Sequence, residues 1–171
     1  MTEPPPETVT YRPIGVIRSP HTDRQAAPIQ PVYACGAEGR AEIVQAYEDG
    51  LADLEGFSHL ILLYHFHRAG EVKLRVTPFL EDTEHGVFAT RAPCRPNPIG
   101  LSVVRLLVRE GRVLHLADVD VLDGTPLLDV KPYVARFDRR DGVRSGWQDG
   151  VDEQTARSRG RRETGGPGPL A

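Results

Sequence analysis

Arg91, Arg95 and Asn97 share one short loop with Pro93, Pro96 and Pro98. Proline fixes φ and biases the residue before it towards extended geometry, so this loop holds its shape before any ligand arrives. Guanidinium groups are planar, permanently charged and rich in donors. Two of them beside an amide suit an anionic, planar partner. A rigid structural turn would have the same composition. A second cluster is His59, His65 and His67, which share strand parity and would lie on one face of an extended segment. A metal site would need further ligands and supporting partners, and His-x-His on a strand is a weak signal, so no metal is expected. Asp118, Asp120, Asp123 and Asp129 crowd around Gly124. A calcium loop would need denser alternation and a terminal Glu. Asp123-Gly124-Thr125-Pro126 reads either as a tight turn with backbone N–H groups open to a small ligand or as a plain hairpin turn. Cys94 stands between Pro93 and Arg95 with no base placed beside it by the sequence, so it reads as incidental.

Several chemistries are absent from the pattern. No Gly-x-Gly-x-x-Gly follows a strand and no Gly-Lys-Ser/Thr loop exists, which excludes a Rossmann or P-loop reading. No Ser/His/Asp or Cys/His constellation stands out.

The elements that must position these residues are mostly strands. Tyr11 to Arg18, Ala41 to Val44, Val72 to Val76, Val113 to Leu122 and Leu127 to Val134 read as strands. Gly86 to Arg91 reads as a short apolar strand leading into the proline loop, and Leu101 to Val108 as an apolar run leaving it. His59 to His67 is nearly continuously apolar, as in a strand buried on both faces. Only Tyr47 to Leu54 looks helical, ending at Gly56. Many short strands with Gly and Pro between them predict an all-β, β-rich fold: a compact single-sheet β-barrel with few short helices.

The chain has 171 residues, enough for one domain with one sizeable core. Residues 1–9 read as a flexible lead, 10–137 as the barrel domain and 138–171 as a polar, unstructured tail. The tail carries seven Arg against six Asp and Glu, and from Gln154 to Ala171 it has almost no apolar residues. Net charge is −3, so any contact with nucleic acid must use a local basic patch. Two unlike cysteines, Cys35 and Cys94, argue against a disulfide framework and fit a reducing cytoplasm. The N-terminus is acidic and proline-rich, unlike a signal peptide, and no apolar run is long enough to span a membrane.

Taken together, five stretches resemble the TsaA/TrmO (YaeB-like) family. They are Ile14 to Pro20, Leu54 to Leu60, Phe66-His67, Gly86 to Arg91 with Arg95 to Gly100, and Asp123 to Pro126 with Asp129 to Tyr133. The resemblance runs from about Tyr11 to Val134. It implies a β-barrel S-adenosylmethionine-dependent methyltransferase, homodimeric, with the cofactor near the subunit interface. It also implies N6-methylation of threonylcarbamoyladenosine beside the anticodon of a threonine tRNA. The cofactor contacts it implies are Gln30, Pro31, Phe66, His67, Arg91, Leu101 and the turn Leu122-Asp123-Gly124-Thr125. Arg95, Asn97 and Lys131 are assigned to the substrate side, and Tyr133, Lys131 and Asn97 are the candidates for catalysis. Tyr133 or His67 would serve as stacking surface or general base, and catalysis by proximity alone is a further option. Two rival readings use the same pocket: a cofactor sensor without turnover and a methyltransferase for a small molecule.

Overall fold

The computed structural model describes residues 7–162. Eight strands are present: β1 (Gly15–Arg18), β2 (Gly39–Ile43), β3 (His59–His65), β4 (Arg75–Val76), β5 (His85–Gly86), β6 (Ile99–Glu110), β7 (Val113–Ala117) and β8 (Thr125–Pro132). Six of them close a barrel in the order β1-β2-β7-β6-β3-β8, and β4 and β5 form a separate two-stranded ribbon. Every pairing is antiparallel. The all-β barrel expected from the sequence is the fold observed.

Alternation along the strands fills the barrel. Ile17, Leu60, Leu62, Val104, Leu114, Leu116 and Leu127 are fully buried within it. Side chains of this kind each contribute roughly 1.5–3 kcal/mol on leaving water. The interior also accepts Tyr64. That ring fits because residue 100, its partner across β3 and β6, is glycine. A Cβ at Gly100 would lie 2.1 Å from the Tyr64 ring.

Several local expectations are corrected. β3 is not buried on both faces: Leu60, Leu62 and Tyr64 point inward, while Ile61 and Leu63 are half-buried outside and His65 is exposed. Its apolar outer positions mislead a reading by hydrophobic run alone. Gly86 to Arg91 is not a strand. β5 stops at Gly86, and Val87–Ala89 turns as a 3-10 helix with Val87 buried. The ribbon partner β4 covers only two residues, not Val72 to Val76. Tyr47 to Leu54 is not an α-helix but two 3-10 segments, Gln45–Leu51 and Leu54–Gly56, separated at Asp53 by a left-handed φ of 67°. β7 ends at Ala117 because Asp118 takes φ 65°. β1 begins only at Gly15.

Residues 139–162, within the stretch expected to be an unstructured tail, carry regular structure. After α1 (Ala135–Asp138), a 3-10 turn spans Gly146–Gly150 and α2 spans Glu153–Arg161. Both pairing and ring packing hold this segment in place. Asp152 caps α2 by accepting from the Thr155 N–H. Arg159 grips Asp82 through two nitrogens, and the Ile29 N–H donates to the Gly160 carbonyl. Residues 1–6 and 163–171, parts of the expected lead and tail, lie outside the described residues. Among the described residues, no helix is long and apolar enough to cross a membrane.

Candidate active site

The proline loop leaves the ribbon and runs into β6, and main-chain and side-chain bonds fix it along its length. Thr90 is buried and its hydroxyl donates to the Val87 carbonyl at 2.9 Å. Buried Cys94 accepts at its carbonyl from the Lys73 N–H. Arg95 donates from Nη1 to the Thr90 carbonyl at 3.2 Å. The Phe66 N–H donates to the Pro98 carbonyl at 2.8 Å, which joins the loop to the end of β3. Arg91 is exposed and donates to the side-chain carbonyl of Gln30, the residue that precedes the 3-10 turn Pro31–Tyr33.

The turn at Leu122–Thr125 meets β3 from the other side. Gly124 takes φ 77°, a conformation glycine adopts without strain, and its N–H donates to the Ile17 carbonyl. The Asp123 N–H donates to the His21 carbonyl, and the Asp123 carboxylate accepts from the Ser19 N–H at 3.2 Å. The Thr125 hydroxyl donates to the Leu122 carbonyl at 2.7 Å and lies 3.2 Å from His67 Nδ1. Partial burial, with Arg68 and His65 nearby, holds the His67 pKa below its ordinary value. His67 is therefore neutral at neutral pH and keeps one ring nitrogen as an acceptor. His67 and the 122–125 turn thus meet just beyond the C-terminal end of β3, and the Arg91 charge reaches Tyr64, whose ring packs edge-on against Phe66 with centroids 5.4 Å apart.

Beneath them lies a buried polar chain that residue types alone did not reveal. Ser102 Oγ donates to Asp120 Oδ1 at 2.6 Å, and the Tyr64 hydroxyl lies 3.0 Å from the same Oγ. Burial pushes the Asp120 carboxyl up to about 7, opposed by the Ser102 hydrogen bond, the backbone and the charge of Arg91. Burial also raises the Tyr64 phenol, whose field likewise includes Asp120 and Arg91. Asp120 stood in the acidic cluster of the sequence. Nothing marked Ser102, whose inward parity on β6 was the only available signal.

The remaining candidates are dispersed. Leu101 sits on the outer barrel face opposite Leu63 and is 42% exposed. Asn97 is exposed between its two prolines, with its carbonyl accepting from the Ile99 N–H. Lys131 pairs with Asp129 at 2.7 Å on β8. Tyr133 packs edge-on against His59, with ring centroids 6.3 Å apart, and its N–H donates to the His59 carbonyl. His59 and His65 are opposite ends of β3, roughly 20 Å apart at about 3.3 Å per residue. In one chain Tyr133 is therefore remote from Phe66 and His67. A cleft of about 570 Å³ lined by Arg18, Glu38, Arg40 and Glu42 meets the gathered set only at Asp123. Among the described residues, no three His, Cys, Asp or Glu side chains converge as metal ligands would.

The gathered set offers a guanidinium, a carboxylate, an aromatic face at Phe66 and a neutral imidazole. A zwitterionic small molecule with a planar apolar part would find a complement for each of its features there. A family model described as the tRNA-methyltransferase O N-terminal domain matches residues 16–139, which takes in all eight strands but for the first residue of β1 and leaves out the 3-10 turn Gly146–Gly150 and α2. The chain belongs to this family. Other members share the barrel: the crystal structure of TrmO from Pseudomonas aeruginosa superposes with TM-score 0.70 at 42% identity, covering 82% of this chain and 63% of that one. A probable S-adenosyl-L-methionine-binding protein of Pyrococcus abyssi is 56% identical over 142 residues, 83% of this chain and 77% of the relative. The tRNA (adenine(37)-N6)-methyltransferase of Escherichia coli is 41% identical over 134 residues, 72% of this chain and 57% of the relative. The chain thus spans less than two thirds of the length of the TrmO crystal chain and of the Escherichia coli enzyme.

Proposed function

We propose that this chain is a cytoplasmic S-adenosylmethionine-dependent tRNA methyltransferase acting at N6 of threonylcarbamoyladenosine beside the anticodon of threonine tRNA. The observation that carries the reading is the bond of Arg91 to Gln30, with the Arg91 charge felt at Tyr64 against Phe66, together with the contact of His67 with Thr125. Relatives named for binding S-adenosylmethionine and for methylating adenine 37 of tRNA support it. When bound, S-adenosylmethionine supplies an electrophilic methyl group on a sulfonium centre.

The chain's own residues would bind and orient. Arg91 has the fork geometry to grip a carboxylate. Asp123 offers negative charge to a cationic ligand. Phe66 gives apolar surface for an adenine ring, and Leu101, on the outer face of the barrel, joins it only from a second copy. His67, neutral and held by Thr125, is available to accept a proton from the target nitrogen or to stack on a base. Methyl transfer depends chiefly on alignment and electrostatics, and a stiff loop supplies both. Arg95 and Asn97, on the same loop, are assigned to the substrate side in this reading.

Lys131 and Tyr133 reach this chemistry only if a second copy supplies them. A homodimer fits the apolar outer face of β3 and β6, where Ile99 and Leu101 are each 42% exposed beside half-buried Ile61, Leu63 and Val103. Two unpaired cysteines, Cys35 and Cys94, fit a reducing cytoplasm.

A second reading has its own support. The Pyrococcus abyssi relative, most of whose length this chain covers, is named for binding alone. A sensor would hold the cofactor without turnover. Transfer of label from S-adenosylmethionine to total tRNA, from cells lacking the endogenous methylation, separates the two. Label in one tRNA species, lost when threonylcarbamoyl modification is absent, supports the methyltransferase. Calorimetric binding with no transfer supports the sensor.

A further inference from the structure

Phe88 is 73% exposed at the middle of the 3-10 turn Val87–Ala89, although the main chain around it is firmly held. Val87, one residue before, is 1% exposed and packs with Val76 and Cys94. Its N–H donates to the Leu74 carbonyl, and its carbonyl accepts from the Thr90 hydroxyl. Ala89, one residue after, accepts at its carbonyl from Trp147 Nε1 at 2.8 Å. Trp147 is itself stacked on His85, with centroids 5.0 Å apart and planes 16° from parallel. The turn is therefore fixed on both sides of Phe88, and its ring is presented to solvent.

A cation lies beside the ring. The Arg95 guanidinium lies 5.9 Å from the ring centroid and is anchored on the Thr90 carbonyl. A single exposed apolar side chain needs no explanation. A rigidly mounted aromatic ring with an arginine beside it has the composition of a stacking surface for unpaired nucleobases, whose phosphates the arginine would meet. A protein partner with an apolar face would gain little from such flanking charge, whereas RNA complements it.

We propose that Phe88 is a stacking platform for an unpaired nucleobase of a single-stranded RNA loop, with Arg95 engaging the adjacent backbone. This rests on the reading of the chain as a tRNA-acting protein and names how that RNA is held.

The test uses the full chain and a labelled synthetic RNA stem-loop carrying a single-stranded loop, titrated by fluorescence anisotropy at several salt concentrations. Phe88→Ala should weaken RNA binding roughly tenfold or more, the size of one lost base–aromatic stack. Phe88→Trp should retain it. The salt dependence should stay as in the wild type for both variants and become shallower for Arg95→Gln, because only the arginine releases counterions. Cofactor affinity, melting temperature and oligomeric state of Phe88→Ala should match the wild type. RNA binding by the wild type that is unchanged in Phe88→Ala overturns the platform and leaves the methyltransferase reading standing. Loss of dimerisation in Phe88→Ala also overturns it, in favour of a contact between copies. Failure of the wild type to bind the RNA at all overturns both.

Discussion

Arg91 donates a hydrogen bond to the side-chain carbonyl of Gln30, 61 residues earlier in the chain. One residue leaves the ribbon and the other enters a 3-10 turn, so this contact ties together two loops with no shared strand. The Gln30 side chain is itself held by donating to the Ile29 carbonyl. Arg91→Ala removes both the tie and the guanidinium. S-adenosylmethionine affinity, by calorimetry, should fall about tenfold to a hundredfold, as expected for a hydrogen bond to a charged group. Gln30→Ala should cost less, because the guanidinium remains.

Gly100→Ala tests the packing beneath the same loop. Its Cβ would overlap the Tyr64 ring, so the ring or the strand must move. Destabilisation of about 1–3 kcal/mol or more is expected, read as a lower melting temperature. Gly100→Ala combined with Tyr64→Leu should recover part of that loss. Equal losses in single and double variants would refute the overlap as the cause.

Asp120 predicts a pH dependence. Its folded pKa, pushed up to about 7 by burial, lies above the unfolded value. Between those values the folded state holds a proton that the unfolded chain has released. This contribution to stability therefore falls as pH rises from about 4 to about 7, and adds no slope above that. Asp120→Asn cannot titrate. Its change in melting temperature between about pH 5 and about pH 8 should be smaller than that of the wild type.

Trp147 should matter to a site it does not touch. It bonds the Ala89 carbonyl and stacks on His85, which brackets the turn that leads to Arg91. Trp147→Phe keeps the stack and loses the donor. Amide exchange at residues 87–91 should quicken in Trp147→Phe and more so in Trp147→Ala, while the barrel strands keep their protection.

Tyr133 and Phe66 are separated within one chain by the length of β3. If a second copy supplies Tyr133, mixing Arg91→Ala with Tyr133→Phe subunits should restore tRNA methylation that neither variant shows alone. No recovery, with mixed dimers present, would remove Tyr133 from the reaction.

The barrel was legible in the sequence because its strands alternate and Gly or Pro punctuates them, as at Asp123-Gly124. The stiff loop was legible too, since prolines impose local geometry whatever the context. The Ser102–Asp120 bond was not, because it depends on which strands become neighbours across 18 residues. The length of β7 was misjudged for a similar reason. The hydrophobic alternation continues through Val119 and Val121, but Asp118 turns the backbone out of the ladder, and its carboxylate accepts from the Gly36 N–H and from Arg105. Order in α2 depends on Asp82 and Ile29, partners that composition of the segment itself cannot reveal.

The ring of strands closes where β1 meets β8, and the 122–125 turn is fixed across that seam by Ser19, 104 residues before Asp123. Contacts between such distant parts of a chain carry the largest loop-closure cost and form late. A chain emerging from the ribosome cannot build this end of the barrel until Leu127 to Pro132 is available to pair with β1 and β3. Ligand recognition is thus tied to completion of the fold, and an abandoned or clipped intermediate lacking β8 has no 122–125 turn in place to compete for ligand.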